Sequence, residues 1–323
     1  TLAIMALFVF ANLTVIIAEF AGIAASMELF GVHKHISVPI SAFIVWFVVV
    51  KGNFKQVERF LIAISLIYLT YVFSGVMSNP PWKEVARQIV VPHIRLDKDY
   101  LLLFITMVGT TITPYMQFYL QSAVVDKGIR VDEYQYAKFD VYAGSFMTVF
   151  IAFFIVLSTG TILHPAGVIV DSAENAAQAL QPLAGEFASH LFAVGLLNAS
   201  FLAAFVLPLA TAYGLSEAFG WESGINKTFR EAPQFLGFYT AFIVIGAGMI
   251  LIPTMPLIKI MFLSQTINGI LLPIVLIIML RLVNDKELMG EYVNSKRMNI
   301  ITWVTVAILI LLTVMLVLTS FIL

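Results

Sequence analysis

The stretch from Met107 to Val125, MVGTTITPYMQFYLQSAVV, places cation-binding chemistry inside an otherwise apolar run. Pro114 stands mid-run, where it removes a backbone donor and its ring clashes with the preceding turn. Thr110, Thr111 and Thr113 set three hydroxyls just ahead of it. A helix broken at membrane depth is tolerated only where protein or a water-filled cavity surrounds the break, and transporters use such breaks to aim free carbonyls and helix ends at an ion. The same residues also fit a plain proline kink re-satisfied by the neighbouring threonines. Glu19 is the second candidate, a carboxylate near the middle of an apolar span over 2–31, whereas Glu28 near its end is interfacial. An ionisable residue at mid-depth faces the bundle interior or a wet cavity; the alternative is a protonated glutamate hydrogen-bonded to a neighbouring helix.

The elements that hold these residues follow from composition. Hydrophobic residues make up 60% of the 323 and charged residues 11%, with a mean hydropathy of +0.97. Soluble domains carry about a quarter charged residues, so the chain is an integral membrane protein, all-α and polytopic. A net charge of −1 offers no basic surface for nucleic acid. With no cysteine there are no disulfides, iron–sulfur clusters or thiolate metal sites, so a bound metal must use oxygen, nitrogen or thioether.

Nine spans are expected: 2–31, 37–50, 57–77, the interrupted run after Tyr100, 139–163, 188–215, 235–252, 256–280 and 300–323. The second is short for a crossing. Between them lie a charged connector over 78–100 and a polar, alanine-rich loop over 164–186. The sixth span contains Asn198, Ser200 and Pro208. Loop charge supports the order, because cytoplasmic loops collect Lys and Arg. Lys51, Lys55, Arg59, Lys127, Arg130, Lys138, Lys227, Arg230, Arg281, Lys286, Lys296 and Arg297 fall on one side, twelve in all. The opposite side holds five: Lys34, Lys83, Arg87, Arg95 and Lys98. Histidines 33, 35, 93, 164 and 190 lie in loops or at span ends, and no H-E-x-x-H pair is present, so an embedded enzyme is not indicated.

The G-T-T-I-T-P-Y of Gly109 to Tyr115 resembles the broken sixth helix of the Nramp family of divalent-metal transporters, G-A-T-V-M-P-H followed by Y-L-H-S. The corresponding tail is Tyr119-Leu120-Gln121-Ser122, one residue farther on. Ala18-Glu19 with the following glycine resembles the family's D-I-A-E segment. Ser264-Gln265 followed by Leu272-Pro273 resembles its tenth helix, and Leu288-Met289-Gly290-Glu291-Tyr292-Val293-Asn294 its L-M-G-E-F-V-N loop. Together these cover the family's third to eleventh helices.

The resemblance implies a LeuT-type fold of two inverted five-helix repeats, with 1–323 a single transmembrane domain incomplete at its N-terminus. The family's D-P-G-N, in its first helix, is absent, so two helices and half of the site are expected before Thr1, and the chain by itself would not transport. The implied metal ligands are Thr110 through its carbonyl, Thr113 through its hydroxyl directly or through water, and Gln265 through its side-chain carbonyl. The implied pathway or gating positions are Glu19, Pro114, Tyr115 and Gln121. Thr110 has a back-bond to the preceding turn as its alternative, and Gln265 an ordinary interhelical hydrogen bond.

Thr113 stands where the family has a methionine, and losing that soft sulfur removes the preference for Mn²⁺ or Fe²⁺ over Mg²⁺. That departure resembles the Nramp-related magnesium transporters. Met116 is a possible substitute sulfur, on the far side of Pro114. Where the family's proton route has an aspartate and two histidines, this chain has Ile16, Tyr115 and Gln121. The expected function is uncoupled Mg²⁺ flux, with Mn²⁺ also admitted, by a monomer in a bacterial inner membrane with no cofactor. The alternatives are a proton-coupled Mn²⁺/Fe²⁺ carrier and a non-transporting scaffold.

Overall fold

The computed structural model describes residues 2–51, 54–91, 94–95 and 97–322. Thr1, His93 and Leu323, and the side chain of Lys55, lie outside what it describes. The elements in chain order are α1 (Leu2–Glu28), α2 (Lys34–Val50), α3 (Phe54–Ile64), α4 (Leu69–Met77), α5 (Trp82–Val90), α6 (Lys98–Thr111), α7 (Pro114–Asp126) and α8 (Tyr134–Ile162). They continue with α9 (Ala173–Ala177), α10 (Gln181–Ala184), α11 (Ala188–Phe219), α12 (Pro233–Ile250), α13 (Leu257–Leu282), α14 (Lys286–Met289) and α15 (Lys296–Ile322). Helix is the physical answer to such composition, because a backbone in hydrocarbon must satisfy its N–H and C=O groups within itself.

Among the described residues, eight segments are long and apolar enough to cross a membrane; they are the expected first span and the third to ninth. The second, α2, has 17 residues and falls short by length. Three expectations need correction. The third span is not one α-helix, because a 3₁₀ turn over Ser65–Tyr68 separates α3 from α4. The 164–186 loop folds into α9, a 3₁₀ turn and α10, since Ser172 caps Asn175 N–H at 3.2 Å and alanine-rich sequence favours helix. The connector likewise holds α5, none of whose residues is buried.

The chain divides into two compact units. In the first, residues 1–92 and 122–261, α1 packs mainly on α11 and α12. The contacts are glycine on bulk: a Cβ added at Gly22 would strike the Ser200 hydroxyl, at Gly214 the Phe8 ring, and at Gly246 the Ile16 side chain. Small residues let backbones approach, which matters in a bilayer because lipid is as apolar as leucine. Two further hydrogen bonds tie α2 to α12, Trp46 Nε1 to Thr240 Oγ1 at 2.9 Å and Tyr239 hydroxyl to the Val45 carbonyl at 3.0 Å.

The second unit, residues 93–121 and 262–323, carries the interrupted helix. Leu101 and Ile105 of α6 pack with Leu316 of α15, while Leu272, Leu276 and Leu280 of α13 pack with Val306 and Leu309. Val108 and Ile112 press on that second cluster. Between the clusters α6 and α13 meet backbone to backbone. A Cβ at Gly109 would overlap the Gln265 carbonyl and the Gly269 backbone, and one at Gly269 would overlap the Ile105 carbonyl. Asp97 starts α6 by accepting the Tyr100 N–H at 3.1 Å, and it also takes Arg95 Nε at 2.8 Å.

Gly109→Ala or Gly269→Ala therefore lowers stability by roughly 1–3 kcal/mol, the usual cost of overpacking. Gly237→Ala, where a Cβ meets open space, does not. Thermal unfolding of the purified protein in detergent measures the difference. The Tyr100 N–H, with the Arg95 cation adding to it, holds the Asp97 carboxyl below its ordinary range. A depressed carboxyl contributes stability above its unfolded pKa, about 3.9, and loses it as pH falls through the lower folded value. Asp97→Ala is accordingly less stable than the parent at pH 7, and the gap closes in melts taken progressively below pH 4.

Candidate functional site

In α6 the ladder makes its last bond from Ile112 N–H to the Val108 carbonyl at 2.9 Å, and α7 begins at Pro114. Two residues, Ile112 and Thr113, lie between the helices, so the run is interrupted rather than kinked. Pro114 has no N–H to give the Thr110 carbonyl, which faces the break without the donor that the next turn would supply. Met116 N–H reaches the Thr113 carbonyl at 3.2 Å and restarts the ladder.

The three threonines separate in role. Thr111 bonds back to the Met107 carbonyl at 2.8 Å, which satisfies its hydroxyl within the helix. Thr110 has an exposed side chain. Thr113 is 6% exposed, and its hydroxyl has no hydrogen-bond partner. Pro114 is buried, Tyr115 half-buried, and Gln121 and Met116 exposed.

Helix α13 supplies the rest of this region. Besides the Gly109–Gly269 approach, Thr106 and Thr266 share a buried hydroxyl–hydroxyl bond of 2.7 Å. Pro273 sits inside α13 and removes the donor that would serve the Gly269 carbonyl, so a proline follows the point of contact by about one turn in both runs, Pro114 at the start of α7 and Pro273 within α13. Gln265 is half-buried, its backbone carbonyl lies against Gly109, and its Oε1 accepts from Asn268 Nδ2 at 3.4 Å. Asn268 itself is 1% exposed, and its Oδ1 has no partner. Sequence reasoning passed over Asn268, although an asparagine three residues from Gln265 in an apolar helix shares its face and was a readable signal.

Glu19 belongs to the first unit, and it is half-buried. Its carboxyl group is hydrogen-bonded to the Ser200 side chain. Gly22, one turn along α1, explains why Ser200 can come so near. Close by in the same unit, Asn198 Nδ2 bonds Ser65 Oγ at 3.0 Å and the Tyr68 hydroxyl at 3.2 Å, and that hydroxyl lies 3.2 Å from the Gly195 carbonyl. This network fastens the 3₁₀ turn onto α11. Ile16, where the resemblance has a carboxylate, is fully buried and packs on Gly246.

Among the described residues no three His, Asp or Glu side chains gather where they could hold a metal ion. The donors at the break are neutral oxygens of hydroxyl, carbonyl and amide. Such atoms are hard ligands, and they also accept hydrogen bonds from the water of a hydrated cation.

Comparison with known proteins identifies the family. The family model described as natural resistance-associated macrophage protein-like, Nramp, matches residues 1–319. A divalent metal cation transporter MntH of Caldanaerobacter subterraneus subsp. tengcongensis is 25% identical over 293 residues, covering 86% of this chain and 66% of that protein. A divalent metal cation transporter MntH of Clostridium acetobutylicum is 24% identical over 264 residues, covering 79% of this chain and 58% of that protein. The chain thus spans about two thirds or less of the length of these relatives. With a match over nearly its whole length and, among the described residues, eight segments fit to cross a bilayer, the chain is an integral membrane protein that belongs to the Nramp family.

Proposed function

We propose that this protein conducts divalent cations across a bacterial inner membrane, that the ion binds at the α6–α7 break, and that Mg²⁺ is its principal substrate, with Mn²⁺ also admitted. Thr113 carries the reading. It stands where the resemblance has a thioether, and it is a buried hydroxyl left without a protein partner. Soft sulfur favours transition metals, whereas hydroxyl and carbonyl oxygen suit Mg²⁺. Mg²⁺ gives up water reluctantly and binds through few protein atoms, so a set comprising the Thr110 carbonyl, the Thr113 hydroxyl and the Gln265 amide oxygen fits a partly hydrated ion. The two relatives are bacterial and are named as divalent metal cation transporters, which supports the substrate class and the membrane.

Flux without protons is the second part of the proposal. Of the positions that the resemblance assigns to a proton route, Ile16 and Gln121 do not titrate, and tyrosine at 115 ordinarily titrates near 10. Glu19 is the one acid among them, its carboxyl group is hydrogen-bonded to Ser200, and a single acid makes a poor relay. The driving force is then the ion gradient and the membrane potential, worth roughly 4–5 kcal/mol per 100 mV for a divalent ion.

Proteoliposomes holding the full-length protein test both parts when Mg²⁺ and Mn²⁺ uptake and lumenal pH are recorded together. The expected outcome is entry of both ions with no acidification. Thr113→Met shifts preference toward Mn²⁺ by roughly tenfold, the equivalent of about 1.4 kcal/mol in one ion contact. Entry of Mn²⁺ with protons while Mg²⁺ stays out would instead make this a conventional proton-coupled carrier. Thr113→Val separates ligand from packing, because it swaps an unpartnered buried hydroxyl for a methyl of similar shape. Its melting temperature is unchanged or higher, by up to about 1 kcal/mol of stability, while Mg²⁺ flux falls.

A further inference from the structure

Asn268 lies in the middle of α13, one helical step before Gly269, the residue pressed against the Ile105 carbonyl. It shares a face with Gln265 and is bonded to it, and it is all but completely buried. The side-chain amide offers two donors and an acceptor, yet only one bond, of 3.4 Å, is made, and Oδ1 is left bare. Turned over together, the two amides would keep one bond and leave Nδ2 bare; as the side chains lie here, Nδ2 makes the bond and Oδ1 is the bare atom. Leucine would fit an apolar helix at this position with no such cost, and no described residue takes up the Oδ1 that the asparagine brings instead.

A partner for that oxygen must donate, because the bare atom accepts. The unpartnered Thr113 hydroxyl and the Thr110 carbonyl in the same unit accept as well. Water bound to a divalent cation is such a donor: its lone pair is engaged by the metal and both hydrogens point outward. We infer that Asn268 is a specificity-determining residue whose Oδ1 accepts a hydrogen bond from water carried by a hydrated divalent cation, so that the site selects for an ion that keeps its water. The inference rests on the reading of the α6–α7 break as the cation site. It also assigns the Asn268–Gln265 bond a role. Asn268 Nδ2 takes up one lone pair of Gln265 Oε1 and fixes that side chain, leaving the second lone pair to face the ion or its water.

The test is initial-rate uptake of Mg²⁺ and Mn²⁺ into proteoliposomes containing the full-length protein, with Asn268→Leu, which removes the acceptor, and Asn268→Ser, which keeps an oxygen. Asn268→Ala is read in the same way if the leucine protein is not monodisperse. In Asn268→Leu the KM for Mg²⁺ is expected to rise about tenfold or more, as for loss of a hydrogen bond to a charged group. The KM for Mn²⁺, which sheds water more readily, rises less than about threefold by the same reasoning, and serine restores most of the Mg²⁺ affinity. An unchanged Mg²⁺ KM in the leucine protein, or equal losses for both ions, overturns the inference and leaves the cation site standing. If the unsubstituted protein passes neither ion, the site reading fails and this inference falls with it.

Discussion

A proline without an N–H, set inside a membrane-spanning run, is the constraint on which the second unit depends. Pro114 ends the ladder at Ile112, and a helix so interrupted would relax by sliding or straightening if its flanks were free. They are not free. Gly109 and Gly269 bring two backbones into contact with no side chain between them, and the Leu101–Ile105–Leu316 and Leu272–Leu276–Val306 clusters hold the helices on either side. The shared Thr106–Thr266 bond adds about 1 kcal/mol at this depth. Moving leucine from lipid into protein gains little, so close packing at the glycines outweighs both as the source of fixed geometry.

The first unit applies the same device to a different end. Gly22 lets α11 approach α1 until Ser200 reaches Glu19, and Gly214 and Gly246 repeat the approach against Phe8 and Ile16. Asn12 bonds Thr211 at 2.9 Å across the same pair of helices. Each unit therefore builds its polar point beside a glycine contact, because only there can a short side chain span the distance between helices. The 3₁₀ turn at Ser65–Tyr68 belongs to this pattern. Its two polar residues are held by Asn198, and a local change of helical pitch is the means of presenting both to one amide.

What could be read from the sequence divides along physical lines. Span positions were legible because twenty apolar residues in a row admit one solution, and the break was legible because Pro114 and its threonines are neighbours in the chain. The 3₁₀ turn was not, since Ser65 and Tyr68 take their meaning from a residue 130 or more positions away. Ser200 stood out as a polar residue in the sixth span, but nothing local tied it to Glu19. The Gly109–Gly269 contact was hidden for the same reason. Asn268 was visible and unread, because one amide in an apolar helix has no pattern to set it apart until its oxygen is found without a partner.

Thr113 is the residue on which the proposed cation site turns. Threonines in this chain regularly lose the cost of burial by bonding back one turn: Thr106 to Leu102, Thr111 to Met107, Thr148 to Gly144 and Thr159 to Ile155. Thr113 cannot do so cheaply, because it stands outside α6, at the break. A helix break that had lost its ion would favour valine here, equal in shape and free of the buried hydroxyl. The hydroxyl persists beside a carbonyl that Pro114 has freed, in the same unit as an amide oxygen that is also bare. Each of these oxygens can accept a hydrogen bond, and the proposed cation, or the water it carries, would engage them together.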